Sequence, residues 1–94
     1  MKNLKITPDV LDKINKTHGV KREEVEHCFA NRIGRLLIDN RPQHKTNPDT
    51  LWFLALTNQS RLLKVAYIQR ESEVQLKSAF DPNEIEIEIY KRHG

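Results

Sequence analysis

The sequence lacks several features on which functional sites are commonly built. Cys28 is the only cysteine, so one chain can form neither a disulfide nor a cysteine-based zinc cluster. The three glycines form no glycine-rich phosphate-binding loop. No apolar run reaches about 18 residues, and the first residues lack the apolar stretch of a signal peptide. We therefore expect a soluble, cytoplasmic protein that makes no use of a membrane.

Metal-binding patterns are also missing. The four histidines, His18, His27, His44 and His93, show no ligand spacing such as His-Glu-x-x-His. Neither a paired-carboxylate signature nor a Gly-x-Ser-x-Gly elbow occurs. The sequence thus predicts no metal site and no cofactor. For His18, at a predicted helix end, capping is favoured over general acid/base work.

The length of 94 residues fits one domain, residues 1–94. Hydrophobic residues make up 37% of the chain and charged residues 31%, so the core must be thin. We expect an α+β fold in which a single layer of helices covers one face of a sheet. The other face would then be free to receive a partner.

Charge is segregated along the chain. From Arg32 to Arg70, seven basic residues stand against Asp39 and Asp49, whereas from Glu71 to Tyr90 six acidic residues stand against Lys77. The basic middle segment could face phosphates. The acidic segment could face a basic partner or complement the middle of the same chain. An ordinary mixed surface is the alternative.

Two helices are predicted near the N-terminus. Thr7-Pro8 is a start signal, with a capping hydroxyl before a proline at the first helical position, and Gly19 suits the end. The second helix is predicted over residues 21–30. Apolar residues recur at helical spacing in both, namely Val10, Leu11 and Ile14, then Val25, Cys28 and Phe29.

Short β-prone runs separated by turn signals follow Gly34. Strands are predicted over 35–39, 51–58, 62–69 and 74–80, with short turns between the last three. They form a four-stranded antiparallel meander. The loop from Asn40 to Thr50 is the longest irregular segment, and it contains Arg41, His44 and Lys45 as candidate nucleic-acid contacts.

The last segment carries two conflicting signals. Ile85, Ile87 and Ile89 alternate with glutamates, which is typical of a strand. Asp81-Pro82-Asn83-Glu84 instead has the pattern of a capping box with proline at the first helical position. We predict a short C-terminal helix, with a fifth strand as the alternative.

Two lysines are candidate phosphate ligands. Side chains alternate between the two faces along a strand, so Lys64 lies on one face of the central strand. On the next strand Lys77 lies on one face, and Ser78 and Phe80 lie on the other. We expect Lys64 and Lys77 to project from the same open face, where they could stabilise a developing negative charge. Two lysines that merely keep that face hydrated are the alternative.

Several short motifs resemble the BrnT family of small bacterial ribonuclease toxins, which belongs to the RelE/ParE superfamily. Thr17-His18-Gly19-Val20 followed by Glu23-Glu24 is similar to a Lys-His-Gly-Val step and a Glu-Glu pair in that family. Residues 65–70 and 74–80 are similar to its last two strands. Tyr90 matches a tyrosine near its C-terminus. Gln75 and Phe80 stand where the family pattern has arginine.

The resemblance implies a RelE/BrnT-like fold and a toxin that binds RNA, cleaves it without a metal and is neutralised by a cognate antitoxin. In such a mechanism the 2′-hydroxyl attacks the adjacent phosphate. We expect Lys64, Arg70 and Lys77 to be the catalytic residues that position and stabilise that phosphate. Arg41, His44 and Arg61 would be peripheral nucleic-acid contacts.

A non-catalytic protein-interaction module on the same fold is the alternative function. The two missing arginines favour it, whereas the basic middle segment favours the toxin. Its partner would bind the open sheet face around Trp52 or the acidic tail. The sequence leaves the oligomeric state, monomer or homodimer, undecided.

Overall fold

A mixed sheet of five strands lies at the centre of the fold, and the computed structural model describes all 94 residues. The strands are β1 (Leu4–Lys5), β2 (Leu37–Ile38), β3 (Thr50–Leu56), β4 (Leu62–Arg70) and β5 (Glu73–Phe80). Their order across the sheet is β1-β5-β4-β3-β2. The helices are α1 (Pro8–His18), α2 (Arg22–Asn31) and α3 (Glu84–His93). The predicted α+β class is therefore confirmed.

The predicted four-stranded antiparallel sheet was wrong in one respect. β1 adds a fifth strand, which runs parallel to β5 with Leu4 opposite Val74. Two residues are too few to show a strand period, so no sequence pattern indicates this strand. The first strand predicted, over 35–39, is also reduced to the two residues of β2.

The two N-terminal helices form where the sequence predicts them. Thr7 caps α1, its hydroxyl accepting a hydrogen bond from the Val10 N–H at 3.3 Å. Gly19 ends α1 in the left-handed region at φ 61°, which a glycine adopts without strain. Both helices pack on one face of the sheet, around a core that includes Ile14, Val25 and Phe53.

The C-terminal segment is a helix, as predicted, but it begins two residues later than the predicted capping box. Asn83 is the cap: its side-chain oxygen accepts from the Glu86 N–H at 2.8 Å, and Glu86 accepts from the Asn83 N–H at 2.9 Å. Asp81 does not cap because both of its carboxylate oxygens accept hydrogen bonds from Arg61.

The second face of the sheet is not left open, contrary to the expectation from composition. α3 lies on it, and Ile87 and Tyr90 pack against a smaller cluster of Trp52, Leu54 and Ala66. The Tyr90 hydroxyl also donates to the Arg35 carbonyl at 2.8 Å. The helices thus cover both faces, and only part of the second face remains accessible.

A β-bulge changes which residues of β5 share a face. Ala66 pairs with Ser78, but the next residue, Tyr67, pairs with Leu76, so Lys77 is the extra residue. The predicted alternation, which put Ser78 and Phe80 on the face away from Lys64 and Lys77, was therefore wrong. Ser78 and Phe80 lie instead on the face of Lys64, directly opposite Ala66 and Lys64.

None of the three helices, each 10 or 11 residues long, has the length and apolar character required to cross a membrane.

Candidate functional site

A concave surface with a volume of about 500 Å³ lies where the second face of the sheet meets the end of α1 and the loop of residues 39–46. We call it the basic cavity. Five cationic side chains line it against a single carboxylate, that of Asp39. The cations are Lys13, Arg41, Lys45, Lys64 and Lys77. The cavity is also lined by two imidazoles, those of His18 and His44, and by the hydroxyls of Thr46, Thr50 and Ser78.

The short length of β1 leaves this side of the sheet accessible. β1 pairs only with Val74 and Gln75, so from Leu76 onward the edge of β5 that faces away from β4 has no neighbouring strand. The bulge at Lys77 falls on this stretch of open edge. Bulges commonly redirect a side chain at a sheet edge, and here the exposed Lys77 lines the cavity.

An ion pair between Arg41 and Asp39 lies on the loop side of the cavity. Arg41 donates from Nε and Nη2 to the two oxygens of Asp39, at 2.9 and 2.7 Å. These hydrogen bonds, the largest cause, hold the pKa of Asp39 below its usual value. The Asp39 N–H donates to the Thr50 carbonyl at 2.8 Å, which anchors the loop to β3. Arg41 is therefore positioned at the rim, with its charge partly neutralised.

Lys64 forms the wall between the basic cavity and α3. Its Nζ lies 2.6 Å from Glu86 Oε2, and the two side chains are only 9% and 16% exposed. The same ammonium sits 4.7 Å from the centre of the Trp52 ring and 5.6 Å from that of Phe80. Lys64 is thus a buried, fully partnered cation, and its charge is already balanced within the chain.

Three other lysines of the cavity are free. Lys13, Lys45 and Lys77 are exposed, and none of them forms an ion pair or donates a side-chain hydrogen bond within the chain. Lys13 was missed in the sequence because it falls between the apolar positions of α1, as a solvated residue would. Unpaired ammonium groups around one concavity leave a positive charge that a bound anion can neutralise.

The two imidazoles of the cavity come from different elements. His18 is half-buried at the end of α1, with its ring centre 5.3 Å from that of Phe80. His44 is exposed and ends the single 3₁₀ turn of residues 42–44. Neither ring makes a hydrogen bond within the chain, whereas the Nδ1 of His27, on α2, accepts one from the Asn58 N–H.

Arg61, predicted as a peripheral contact, does not line the cavity. Its guanidinium donates to the carbonyls of His18 and Gly19, at 2.8 and 2.9 Å, and to both oxygens of Asp81. The hydrogen bonds between Arg61 and Asp81 raise the pKa of Arg61 and lower that of Asp81. Arg61 therefore ties the end of α1 to the end of β5 and has no free donors facing the cavity.

Arg70, predicted as catalytic, also lies outside the cavity. It is the last residue of β4, where it is exposed and its Nε donates to the Gln75 side chain at 2.7 Å. Of the six predicted site residues, the structure brings together Lys64, Lys77, Arg41 and His44. The other two, Arg61 and Arg70, lie elsewhere on β4 and its preceding turn.

A second type of surface flanks α3. One apolar concavity of about 650 Å³ lies on its Ile87 and Tyr90 side and includes Ile33 and Leu56. A second concavity, of about 630 Å³ and with a mixed lining that includes Arg41, Lys64 and Glu86, lies on its Ile85 and Ile89 side. Ile33 is fully exposed and Ile85 is 70% exposed. Exposed apolar side chains thus stand on both sides of α3, and on the Ile87 and Tyr90 side they dominate the lining.

The fold and this site together define a small α+β domain with a positively charged concave surface on one side of its sheet. No protein-family model matches the chain, and no curated protein matches it either. In addition, no group of three or more histidine, cysteine, aspartate or glutamate side chains is arranged to hold a metal ion.

Proposed function

We propose that this chain is a BrnT-like toxin domain that binds RNA in the basic cavity and cleaves it without a metal. The observation that carries the proposal is the set of three unpaired lysines, Lys13, Lys45 and Lys77, around one concave surface. RNA offers one negative charge at each phosphate, and cations that neutralise phosphates release counterions into solution. Unpaired ammonium groups are therefore better suited to RNA than to an uncharged ligand.

The reaction requires only groups that RNA and the protein supply. The 2′-oxygen of a nucleotide attacks the neighbouring phosphorus, the bond to the 5′-oxygen breaks, and the products are a 2′,3′-cyclic phosphate and a 5′-hydroxyl. Negative charge grows on the non-bridging oxygens during the attack. Lys77, on its bulge, is the cation we assign to those oxygens, with the Ser78 hydroxyl as a neighbouring donor.

The roles of two other predicted residues are revised in this proposal. Lys64 supports the cavity wall through its pair with Glu86 and contributes less to phosphate binding than Lys77, because its charge is already balanced. Arg70 is excluded from the reaction centre because it does not line the cavity. Arg41 and His44 remain contacts at the rim, where single-stranded RNA would enter.

The decisive binding test measures the affinity for a labelled single-stranded RNA as a function of salt. For single strands the slope of log K against log salt changes by roughly 0.7 for each neutralised phosphate. We expect Lys13→Ala, Lys45→Ala and Lys77→Ala each to weaken binding and to flatten this slope. Arg70→Ala removes an exposed cation outside the cavity and is the matched control, expected to leave both quantities unchanged. Equal effects of all four variants would mean that binding is spread over the surface and would refute the site.

Cleavage is tested separately, by incubating total bacterial RNA with purified protein in excess EDTA. Products ending in a 2′,3′-cyclic phosphate, formed by the wild type and lost in Lys77→Ala, would support the toxin assignment. RNA that is bound but stays intact would reject the ribonuclease part of the proposal and retain the binding part.

The exposed apolar side chains on both sides of α3 favour a second candidate function, a protein-interaction module. Ile33, Leu56 and Ile85 are exposed on this surface, and its rim carries charges of both signs, Glu84 and Glu88 with Lys91 and Arg92. The complementary partner is a protein segment that combines apolar side chains with charges of both signs. The BrnT resemblance suggests the cognate antitoxin in this role.

This candidate is tested by co-expressing the chain with a small reading frame adjacent to its gene. A stable complex that Ile85→Glu disrupts and Glu84→Gln does not would support it. A complex formed only between two copies of this chain, detected by light scattering, would identify a homodimer and reject the antitoxin as the occupant of this surface.

A further inference from the structure

Two imidazoles, His18 and His44, line the same cavity, and the scheme above assigns a proton transfer to neither. We infer that His18 and His44 are the general acid and the general base of RNA cleavage in this cavity. This inference rests on the proposed function and deepens it, because it names the groups that carry the protons. The lysines of the cavity can stabilise charge, but a permanently protonated ammonium is a poor base at neutral pH.

The attack needs two proton transfers. A base must take the proton from the 2′-hydroxyl as its oxygen bonds to phosphorus, and an acid must give a proton to the 5′-oxygen as its bond to phosphorus breaks. Imidazole is the side chain best suited to both steps near neutral pH. No carboxylate competes for these roles, since Asp39 is the only one in the cavity and is bound to Arg41 through both oxygens.

The ring nitrogens of both residues are available. Neither His18 nor His44 donates or accepts a side-chain hydrogen bond within the chain, although His18 is half-buried. The ring of His18 is fixed instead by Phe80, and its backbone carbonyl by Arg61. A half-buried imidazole held by packing, with both nitrogens unbonded, can present a nitrogen to a ligand in the cavity.

The surroundings of the two rings differ in charge, and this difference assigns the roles. His18 is the last residue of α1, where the helix dipole attracts positive charge, and the carboxylate of Asp81 lies near it. His44 lies between the cations Arg41 and Lys45 on its own loop, and Lys13, Lys64 and Lys77 line the cavity that both rings face. We therefore assign the role of proton donor to His18 and that of proton acceptor to His44.

The test follows single-turnover cleavage of a short RNA across pH. The wild type is expected to give a bell-shaped profile of rate against pH. The rate falls on the acidic limb because the base becomes protonated, and it falls on the basic limb because the acid loses its proton. His44→Gln should lose the acidic limb and His18→Gln the basic limb, each with a rate loss on the order of 10²-fold to 10⁴-fold. His93→Gln, at the exposed end of α3, is the matched control and should keep the wild-type profile. RNA affinity should change less than about threefold in His18→Gln and His93→Gln. His44→Gln also loses a rim contact, so its single-turnover rate is measured at enzyme concentrations well above its own Kd for RNA.

A second measurement adds a readout from the wild type, which does not depend on the folding of any variant. When the 5′-oxygen of the scissile bond is replaced by sulfur, the leaving thiolate needs no proton from the protein. The wild type should then lose the basic limb of its profile, and His18→Gln should cleave this substrate almost as fast as the wild type, whereas His44→Gln should stay slow.

The two proposals fail in distinguishable ways. RNA cleavage that survives in both histidine variants within about tenfold would overturn the acid and base assignment and leave the ribonuclease proposal standing. Rescue of His44→Gln rather than His18→Gln by the sulfur substrate would overturn the assignment of roles. RNA that the wild type binds but does not cleave would overturn this inference together with the ribonuclease proposal, while RNA binding by the cavity would stand.

Discussion

Glu86 holds Lys64 and the start of α3 at the same time. One carboxylate oxygen lies 2.6 Å from the Lys64 Nζ, and the other accepts the Asn83 N–H that caps the helix. A single side chain therefore fixes α3 on the sheet and neutralises the most deeply buried cation of the basic cavity.

Replacing this carboxylate should weaken the fold and strengthen RNA binding. Glu86→Gln keeps an oxygen for the cap but leaves the Lys64 ammonium buried without a counter-charge, a change that costs about 3 kcal/mol in comparable buried pairs. The released charge becomes available to a phosphate, so the salt slope of RNA binding should steepen by roughly 0.7. Urea unfolding and salt-dependent binding measure the two effects. Glu88→Gln, whose exposed partner Lys91 is 4.0 Å away, should change the free energy of unfolding by less than about 0.5 kcal/mol.

Arg61 should matter for stability and not for RNA. Arg61→Ala leaves the carbonyls of His18 and Gly19 and the carboxylate of Asp81 without their donor, which we expect to cost about 2 kcal/mol of unfolding free energy. Its RNA affinity, measured where the variant is fully folded, should equal that of the wild type. A loss of affinity as large as that of Lys77→Ala would contradict the assignment of Arg61 to the structural link between α1 and β5.

Deleting Lys77 should be better tolerated than deleting a regular strand residue. Because Lys77 is the extra residue of the bulge, its removal leaves Leu76 and Ala79 in the core and Ser78 on the cavity side. Deleting Gln75 would turn either Val74 or Leu76 out of the core. Thermal unfolding should therefore show a cooperative transition for the first deletion and a much lower melting temperature, or none, for the second. The Lys77 deletion should also bind RNA as weakly as Lys77→Ala.

Stability should fall at alkaline pH because of Cys28. Burial, followed by the charge of Glu24, raises the pKa of this thiol to about 11, from an ordinary value of 9.0. Between these two pH values the unfolded chain loses the proton and the folded chain keeps it, so unfolding becomes easier by about 1.4 kcal/mol per pH unit. Urea unfolding of the wild type and of Cys28→Ala between pH 8 and pH 11 isolates this effect, since the variant should lack that slope. Parallel curves for the two proteins would show that the thiol does not titrate on unfolding.

Local signals determined the parts of the fold that could be predicted from the sequence. Thr7, Pro8 and Gly19 bound α1 as expected because capping and left-handed geometry depend on neighbouring residues only. The cap of α3 was misplaced by two residues because Asp81 is taken by Arg61, a partner 20 residues away. The strand β1 was missed for the same reason, since it exists only through its pairing with β5.

The residues of the candidate site also divide into those that local signals predict and those that depend on distant partners. Arg41 and His44 could be predicted because they belong to one loop, and Lys64 and Lys77 because they belong to adjacent strands. The bulge that redirects Lys77 depends on the register between strands, which no local pattern encodes. Nor could the sequence indicate that Glu86, 22 residues away, neutralises Lys64, or that Lys13 of α1 completes the cavity.

The pairing of β1 with β5 also determines the order in which the chain can fold. Leu4 is 2% exposed, and its strand partner Val74 lies 70 residues later. Contacts of such high sequence separation form late, because the loop-closure entropy must be met before any of their energy is gained. During synthesis β1 is thus made first, but it cannot pair until β5, the last strand, has been made. A ribosome-bound chain ending before Glu73 should remain unfolded and sensitive to protease, and native protection should arise in one step once β5 has emerged.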